Sequence, residues 1–358
     1  MAASPPLCDD IVEEILVRLP PDDPASLLRA ALACKRWARL VSGPGFRARL
    51  RRGGGAPMLG FLCDLRGGFD GAVSRFVPTS SFRPPRPRPP LPAAQTARAP
   101  RDRERPQAHR WVPATGEEQQ LPMPPRRAES WAAAVLCGCV VGAACDGCHR
   151  GPFRVVLVGT DAGGIFSCVY SSLDGAWSEP ASHPGSPTCL ESVPGVLVGG
   201  ALHFLFQFGD SILRYVLGAR QVSVIQRPPA CTAFQGRALL MAMEDGRLGF
   251  ASVLDSRLCL WPREVGADGE ARWAQGRAIE LETLLPADAL LTLPYLIGFA
   301  DGVGVLFLWT AVGGLFLVNL KSGLLRNVDI DTDIYGVVPY GTYYFPALRI
   351  AAEGDGAS

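Results

Sequence analysis

The chain has almost no lysine, few histidines and no surplus of charge of either sign. Lys35 and Lys321 are the only lysines among 35 Lys and Arg residues, and the formal net charge is +1. A charge so close to zero argues against a protein that binds nucleic acid mainly through bulk electrostatics. We attribute the preference for arginine to a GC-rich gene, since Ala, Gly, Pro and Arg have GC-rich codons; avoidance of lysine-directed modification is the alternative.

The sequence motifs of several large enzyme classes are absent as well. There is no G-x-S-x-G, H-E-x-x-H, G-x-x-x-x-G-K-[ST] or G-x-G-x-x-G. The four histidines lie far apart in the sequence, and His203 falls within an apolar strand, where packing explains it better than catalysis. We therefore predict a protein that is not an enzyme and that needs no cofactor.

One group of metal-binding residue types occurs in the middle of the chain: Cys137, Cys139, Cys145, Cys148 and His149. Thiolates and imidazoles at this density are able to hold zinc. However, the group contains only one C-x-x-C pair, and Cys137 and Cys139 lie in an apolar run that is typical of a buried strand. The prediction is therefore no bound metal, with these five residues as the candidate ligands should zinc be found.

The start of the chain lacks a basic segment followed by an apolar segment, so no secretory signal is predicted. The 11 cysteines are an odd number, and most lie singly in apolar runs. Reduced thiols in the cytoplasm, the nucleus or both are the simplest interpretation. Residues 302–318 carry no charge, but the stretch includes four glycines, and two buried strands with a turn at 311–314 fit it better than a membrane span.

Three short helices are predicted within the first 50 residues. Asp9 or Asp10 can cap the first helix, Asp23 can cap the second with Pro24 at its first position, and Gly43 closes the third. Helices of this length cannot bury all their apolar side chains among themselves. Either the rest of the chain or a partner protein must therefore cover part of this surface.

Three stretches of these helices resemble the consecutive motifs of an F-box. They are Leu7-Cys8-Asp9-Asp10-Ile11, Arg18-Leu19-Pro20 and Cys34-Lys35-Arg36-Trp37. The family usually opens with Leu-Pro-Asp-Asp/Glu-Leu and ends with Val-Cys-Lys-Arg-Trp, so this chain departs from it at Cys8 and Ala33. The resemblance implies that residues 1–52 dock on a Skp-type adaptor of a cullin-based ubiquitin ligase.

The resemblance also implies which residues make this contact. Apolar residues of the first two helices would form the adaptor-binding surface: Leu7, Ile11, Ile15, Leu16, Leu19, Pro20, Leu27 and Leu28. Cys34 and Trp37 would pack the interior of the F-box. Affinity would come from apolar anchors that the adaptor buries. The pattern alone leaves the alternative of a helical cap packed on its own downstream domain.

The segment between the helices and the main body changes in composition twice. Residues 53–82 read as a linker with the first strands, and residues 83–110 are dominated by Arg and Pro. Disorder is the preferred interpretation of 83–110, while a shifted reading frame stays open as the alternative. The tail at 351–358 is also expected to be disordered.

Residues 111–350 are a succession of short apolar runs separated by turns. A four-stranded meander is predicted at 193–226, and similar units begin at 239 and 296. The first turns of the three units lie 46 and 56 residues apart, at Gly200, Gly246 and Gly302, which predicts propeller blades. About six blades are expected, the first of them damaged or incomplete because of the insert at 83–110. The phrases VYSSLDGAWSEP and LVGGALHFL resemble the propeller-like associated domains of F-box proteins from grasses.

The predicted fold is therefore α+β and multi-domain: a small all-α three-helix F-box followed by an all-β propeller-like domain of four-stranded repeats. The function that this implies is the substrate receptor of an SCF-type cullin ubiquitin ligase. Its partners would be a Skp-type adaptor, a cullin through that adaptor, and a target protein, without nucleic acid or membrane. The alternatives are a propeller enzyme or ligand-binding module with a helical cap, and a product whose ring no longer closes.

Overall fold

The computed structural model describes residues 7–19, 24–43, 45–46, 49, 58–65, 73–79, 83–84, 91–92, 109–113, 116–138, 151–185, 188–191, 194–231, 238–330 and 334–341. A few helices at the N-terminal end are followed by an all-β domain.

The three predicted helices are present as α1 (Asp9–Val17), α2 (Pro24–Ala33) and α3 (Lys35–Ser42). The predicted cap of α1 is wrong: Cys8 is the N-cap, and its side chain makes no capping hydrogen bond. Asp9 and Asp10 lie inside the first turn, where their negative charge suits the positive end of the helix dipole. Pro24 opens α2 and Gly43 follows α3, as predicted, whereas Asp23 lies outside the described residues.

The described strands form five larger sheets and one hairpin, and the larger sheets are called blades 1 to 5 in chain order. Blade 1 contains β1 (Met58–Leu65), β2 (Val73–Pro78), β3 (Leu91–Pro92) and β24 (Ile334–Gly341). The hairpin consists of β4 (His109–Val112) and β5 (Glu117–Gln120). Blade 2 contains β6 (Ser130–Cys137), β7 (Phe153–Asp161), β8 (Gly164–Ser171), β9 (Ala176–Trp177) and β10 (Ala181–His183).

The remaining three blades are antiparallel meanders along the chain. Blade 3 contains β11 (Val196–Val198), β12 (Ala201–Leu205), β13 (Ser211–Val216) and β14 (Gln221–Gln226). Blade 4 contains β15 (Leu239–Ala242), β16 (Leu248–Leu254), β17 (Arg257–Val265), β18 (Ala271–Trp273) and β19 (Ala278–Glu280). Blade 5 contains β20 (Tyr295–Ala300), β21 (Val305–Thr310), β22 (Gly314–Asn319) and β23 (Leu325–Val328). Single 3₁₀ turns lie at Pro229–Cys231, Leu281–Thr283 and Ala287–Leu290.

Each blade buries both faces of its inner strands against its neighbours. One apolar cluster joins blades 3, 4 and 5, a second joins blades 2 and 3, and a third joins blades 5 and 1. Between blades 1 and 2 lies the hairpin, whose Trp111 packs edge-on against Phe76 and whose Arg110 lies over the ring of Phe153. The result is a propeller arrangement of five blades, which corrects the expected six; at 109–120 the described residues supply a hairpin in place of a full blade.

Blade 1 is assembled from both ends of the β domain. Strand β24 pairs antiparallel with β1, placing Leu62 opposite Val338. The first strands, which were predicted together with a linker at 53–82, therefore belong to the propeller arrangement. Within 83–110, the described residues include 83–84, which have no regular secondary structure, strand β3 and the beginning of β4. The other residues for which disorder was predicted, including 351–358, lie outside the described part of the chain.

The uncharged stretch at 302–318 forms buried strands, as predicted. Most of it lies in β21 and β22, which pair with each other on either side of a turn. None of the described helices is long and apolar enough to cross a membrane.

Candidate functional site

A row of exposed apolar side chains runs along α1. Ile11 and Ile15 are 47% and 49% exposed, and their spacing of four residues places them on one side of the helix. Leu7, which directly precedes the N-cap Cys8, is 51% exposed. We call these three residues the α1 stripe. A contiguous row of large aliphatic side chains in water is typical of a surface that another protein covers.

The helices have a core of their own beneath the α1 stripe. Its buried members come only from the N-terminal segment: Val12, Leu16, Leu27, Ala31, Val41 and Phe46. The partly buried apolar residues packed against this core also come from that segment. The α1 stripe is exposed and does not pack against the described part of the β domain. A helical cap packed on its own downstream domain would bury such residues there.

Ion pairs fix α1 against the other helical residues. The Arg36 guanidinium lies 2.6 Å from Asp9 Oδ1 and also donates to the carbonyl oxygen of Leu7. Arg49 lies 3.1 Å from Glu13 Oε2 and also donates to Glu14. Because these groups are partly exposed, each pair contributes about 0–1 kcal/mol to stability. Their main effect is to hold α1 in one orientation against α3 and Arg49.

The structure divides the predicted adaptor-binding residues into two sets. Leu7, Ile11 and Ile15 are exposed, and Leu19 is partly buried against the helical core. Leu16 and Leu27 are 2% and 5% exposed, so they belong to that core, which corrects their predicted place on the surface. Pro20 and the side chain of Leu28 lie outside the described part of the structure.

The two predicted interior residues also differ from each other. Trp37 is partly buried against the helical core, in line with its expected packing role. Cys34 is exposed immediately before α3, so its predicted interior place is corrected. The interior contains Val12 and Phe46 instead. The repeat of Val12 and Leu16 at i and i+4 was the available signal for this buried row.

The candidate zinc ligands are described only in part. Cys137 ends β6 and is exposed, whereas Cys139, Cys145, Cys148 and His149 lie outside the described residues. Within the described ranges, no group of three or more His, Cys, Asp or Glu side chains has a metal-binding arrangement.

His203 lies inside blade 3 and is 5% exposed. Burial lowers the pKa of His203 to about 4, and the positive charges of Arg214 and Arg263 act in the same direction. The imidazole is therefore neutral at pH 7 and packed between blades, as the sequence pattern predicts.

Solved structures similar to this chain share little of its sequence. A protein from Lactobacillus plantarum is 14% identical, with a TM-score of 0.42, over 79% of this chain and 99% of that one. A functionally unknown protein from Desulfotomaculum acetoxidans is 12% identical, with a TM-score of 0.35, over 77% of this chain and 74% of that one. The Cps50 (Swd1) β-propeller domain of Myceliophteria thermophila is 10% identical, with a TM-score of 0.33, over 52% of this chain and 63% of that one.

No curated protein sequence matches the chain. Residues 6–49 match the F-box domain family. The matched range includes the α1 stripe, all six buried members of the core beneath it, and the ion pairs that orient α1. The N-terminal helices of this protein are an F-box domain.

Proposed function

We propose that this protein is the substrate-receptor subunit of an SCF-type cullin ubiquitin ligase. The F-box docks a Skp-type adaptor, which connects the chain to a cullin, and the propeller arrangement recruits a target protein. The single observation that carries the proposal is the α1 stripe, which leaves three aliphatic side chains of an F-box exposed above a core that is complete without them.

The chemistry of such a subunit is that of binding. The chain makes and breaks no bond; it holds the target near the conjugating machinery and so raises its effective concentration there. Neither nucleic acid nor a membrane is required as a partner. The buried reduced thiols of Cys63, Cys168 and Cys231 support a place in the cytoplasm, the nucleus or both.

The energy available from the α1 stripe fits a docking surface. Complete burial of an aliphatic side chain stabilises by about 1.5–3 kcal/mol relative to full exposure. Each residue of the α1 stripe is about half exposed, so a partner that covers it gains roughly 1 kcal/mol per residue on this scale. Three such contacts supply anchors, and the ion pairs of Arg36 and Arg49 hold those anchors in one orientation before binding.

The test replaces both isoleucines of the α1 stripe by aspartate in the full-length chain. Ile11→Asp with Ile15→Asp places two charges where the adaptor would have to desolvate them, so pull-down by a purified Skp-type adaptor should be lost. Because both side chains are exposed, the melting temperature of the β domain should stay unchanged.

The matched control is Leu173→Asp with Leu324→Asp. These leucines are 78% and 71% exposed, in a turn of blade 2 and directly before β23 of blade 5, so this control adds the same charge to exposed apolar positions outside the F-box. The control should bind the adaptor as the native chain does. Equal adaptor binding by the α1 variant and the native chain, with both folded, would contradict the proposal.

A further inference from the structure

Blades 3 and 4 bring two arginines, a histidine and two tryptophans together where the blades face each other. His203 of β12 lies directly opposite Arg214 of β13. In blade 4, Arg263 of β17 lies opposite Trp273 of β18, with its guanidinium carbon 5.8 Å from the centre of the indole ring. Trp273 Nε1 donates to the carbonyl oxygen of Gln226 in β14 at 2.7 Å, which ties the two blades together at this point.

Several buried polar atoms in this region have no hydrogen-bond partner among the residues that the structure describes. His203 is 5% exposed, and its Nδ1 is without a partner. Arg263 Nε is also buried and unpartnered, and so is Nε1 of Trp261, which lies two residues before Arg263 on the same strand and the same face. Arg263 Nε and Trp261 Nε1 carry N–H donors, whereas Nδ1 of a neutral imidazole is a donor or an acceptor according to the tautomer. Native proteins satisfy the great majority of buried donors, so these two on one face of β17 indicate a missing acceptor.

The region also carries more positive charge than its neighbours balance. Among the described residues, the side chain of Arg214 forms neither an ion pair nor a hydrogen bond, and the one side-chain hydrogen bond of Arg263 is to the carbonyl oxygen of Ala271 at 3.3 Å. The nearby Glu264 is engaged by Arg247 at 2.5 Å. Burial, followed by the charge of Arg214, lowers the pKa of Arg263. The acceptor that fits this region is therefore an anion.

We propose that His203, Arg214, Trp261 and Arg263 bind the phosphate group of a ligand between blades 3 and 4. Guanidinium groups present several N–H donors in a planar fork that matches the oxygens of a phosphate, and they do so as charge-assisted hydrogen bonds. The indole N–H of Trp261 is a donor only, so it adds a further bond to the same acceptor. The phosphate group is either free inorganic phosphate or the phosphorylated side chain of another protein.

The site stands apart from the F-box, and its test does not depend on the proposed function. Full-length protein is titrated with inorganic phosphate, with sodium chloride holding the ionic strength constant, and the melting temperature is recorded. A second titration uses a phosphoserine peptide and its unphosphorylated form. We expect a saturable rise of the melting temperature with at least one phosphorylated probe, and no rise with the unphosphorylated peptide.

Two variants and a control locate the effect. Arg214→Gln and Arg263→Gln should each weaken binding by about tenfold or more, because each removes a charge-assisted hydrogen-bond donor. Arg154→Gln removes one positive charge at an exposed position of β7 in blade 2 and should bind as the native chain does. The control also reports the general stabilisation by phosphate as a salt, which all variants share and which does not saturate.

A readout on the native chain covers the case in which Arg263→Gln fails to fold. A bound phosphate favours the charged imidazole, so the pKa of His203, followed by its NMR signals, should rise when phosphate is added. Saturation by inorganic phosphate assigns the site to the free ion, and saturation by the phosphopeptide alone assigns it to a phosphorylated protein. The proposal is overturned if neither phosphorylated probe binds saturably. It is also overturned if Arg214→Gln binds as tightly as the native chain.

Discussion

Neighbouring side chains on α1 have opposite roles because a helix turns about 100° per residue. Ile15 is exposed and Leu16 is buried, although both are large aliphatic residues in a segment rich in them. The sequence identified both as apolar residues of the first helix, and the resemblance to an F-box assigned both to the docking surface. Which of the two faces inward depends on where α3 and Phe46 lie, and these contacts exist only in the folded helices.

The buried imidazole of His203 predicts a pH dependence of stability. Its pKa in the folded chain is about 4, below the ordinary value of 6.5, so the unfolded chain binds more protons between these two values. The contribution to stability is therefore fully present above pH 6.5 and is lost as the pH falls towards 4. The loss amounts to at most about 3 kcal/mol.

Urea unfolding of the native chain and of His203→Gln, measured in phosphate-free buffer between pH 4 and 7, checks this prediction. The free energy of unfolding of the native chain should fall more steeply on acidification than that of His203→Gln. Parallel curves for the two proteins would show that the imidazole is not buried in its neutral form.

Among the elements of the fold, the strands of blades 3 to 5 were the easiest to predict. Most are short apolar runs next to turns, and β11 to β14 lie within the meander predicted at 193–226. Burial follows position in the blade: every residue of β12 is buried, whereas β14 on the outer edge is mostly exposed. The place of the hairpin β4–β5 between blades 1 and 2 depends on contacts distant in sequence, such as that of Trp111 with Phe76.

A glycine in β20 lets blades 5 and 1 approach closely. At Gly298, an added Cβ would lie 2.9 Å from the backbone oxygen of Val337 in β24 and 3.1 Å from its Cβ. Neither neighbour is a flexible side-chain end, so Gly298→Ala should destabilise the chain by about 1–3 kcal/mol. The midpoint of urea unfolding measures the change.

Gly218→Ala is the matched control for this prediction. An added Cβ at Gly218 meets no atom within 4 Å, and Gly218 is not among the residues with positive φ. This substitution should therefore leave stability unchanged or raise it by up to about 1 kcal/mol through the unfolded state. Equal midpoints for the two variants would mean that β20 and β24 are not in close contact.

For the whole molecule, the decisive feature is the closure of the ring by β24. This strand pairs with β1 on one side and packs against blade 5 through Ile334 and Val337. Blades gain their buried area from neighbours, so an unclosed ring exposes an apolar face at each end. Among the described strand pairs, β1 and β24 are the farthest apart in the sequence, about 270 residues, at 58–65 and 334–341.

Deletion of residues 334–358 should therefore abolish the cooperative unfolding transition of the β domain and cause aggregation through the exposed edge of β1. Deletion of 342–358, which retains β24, serves as the control and should leave the transition intact. Denaturant unfolding and size-exclusion chromatography check both variants. The same cooperative transition in the two truncated chains would show that β24 is dispensable for ring closure.

The sequence by itself determined the F-box segment, the short strands and their turns, because these depend on local patterns: helical spacing, capping residues, and apolar runs between glycines. Only the tertiary structure decided the number of blades, the joining of β24 to β1, the separation of Ile11 and Ile15 from Val12 and Leu16, and the meeting of Arg214 with Arg263. The physical reason is that each of these features is a contact between segments distant along the chain. Such contacts depend on packing and burial over the whole molecule, and a local sequence pattern does not contain that information.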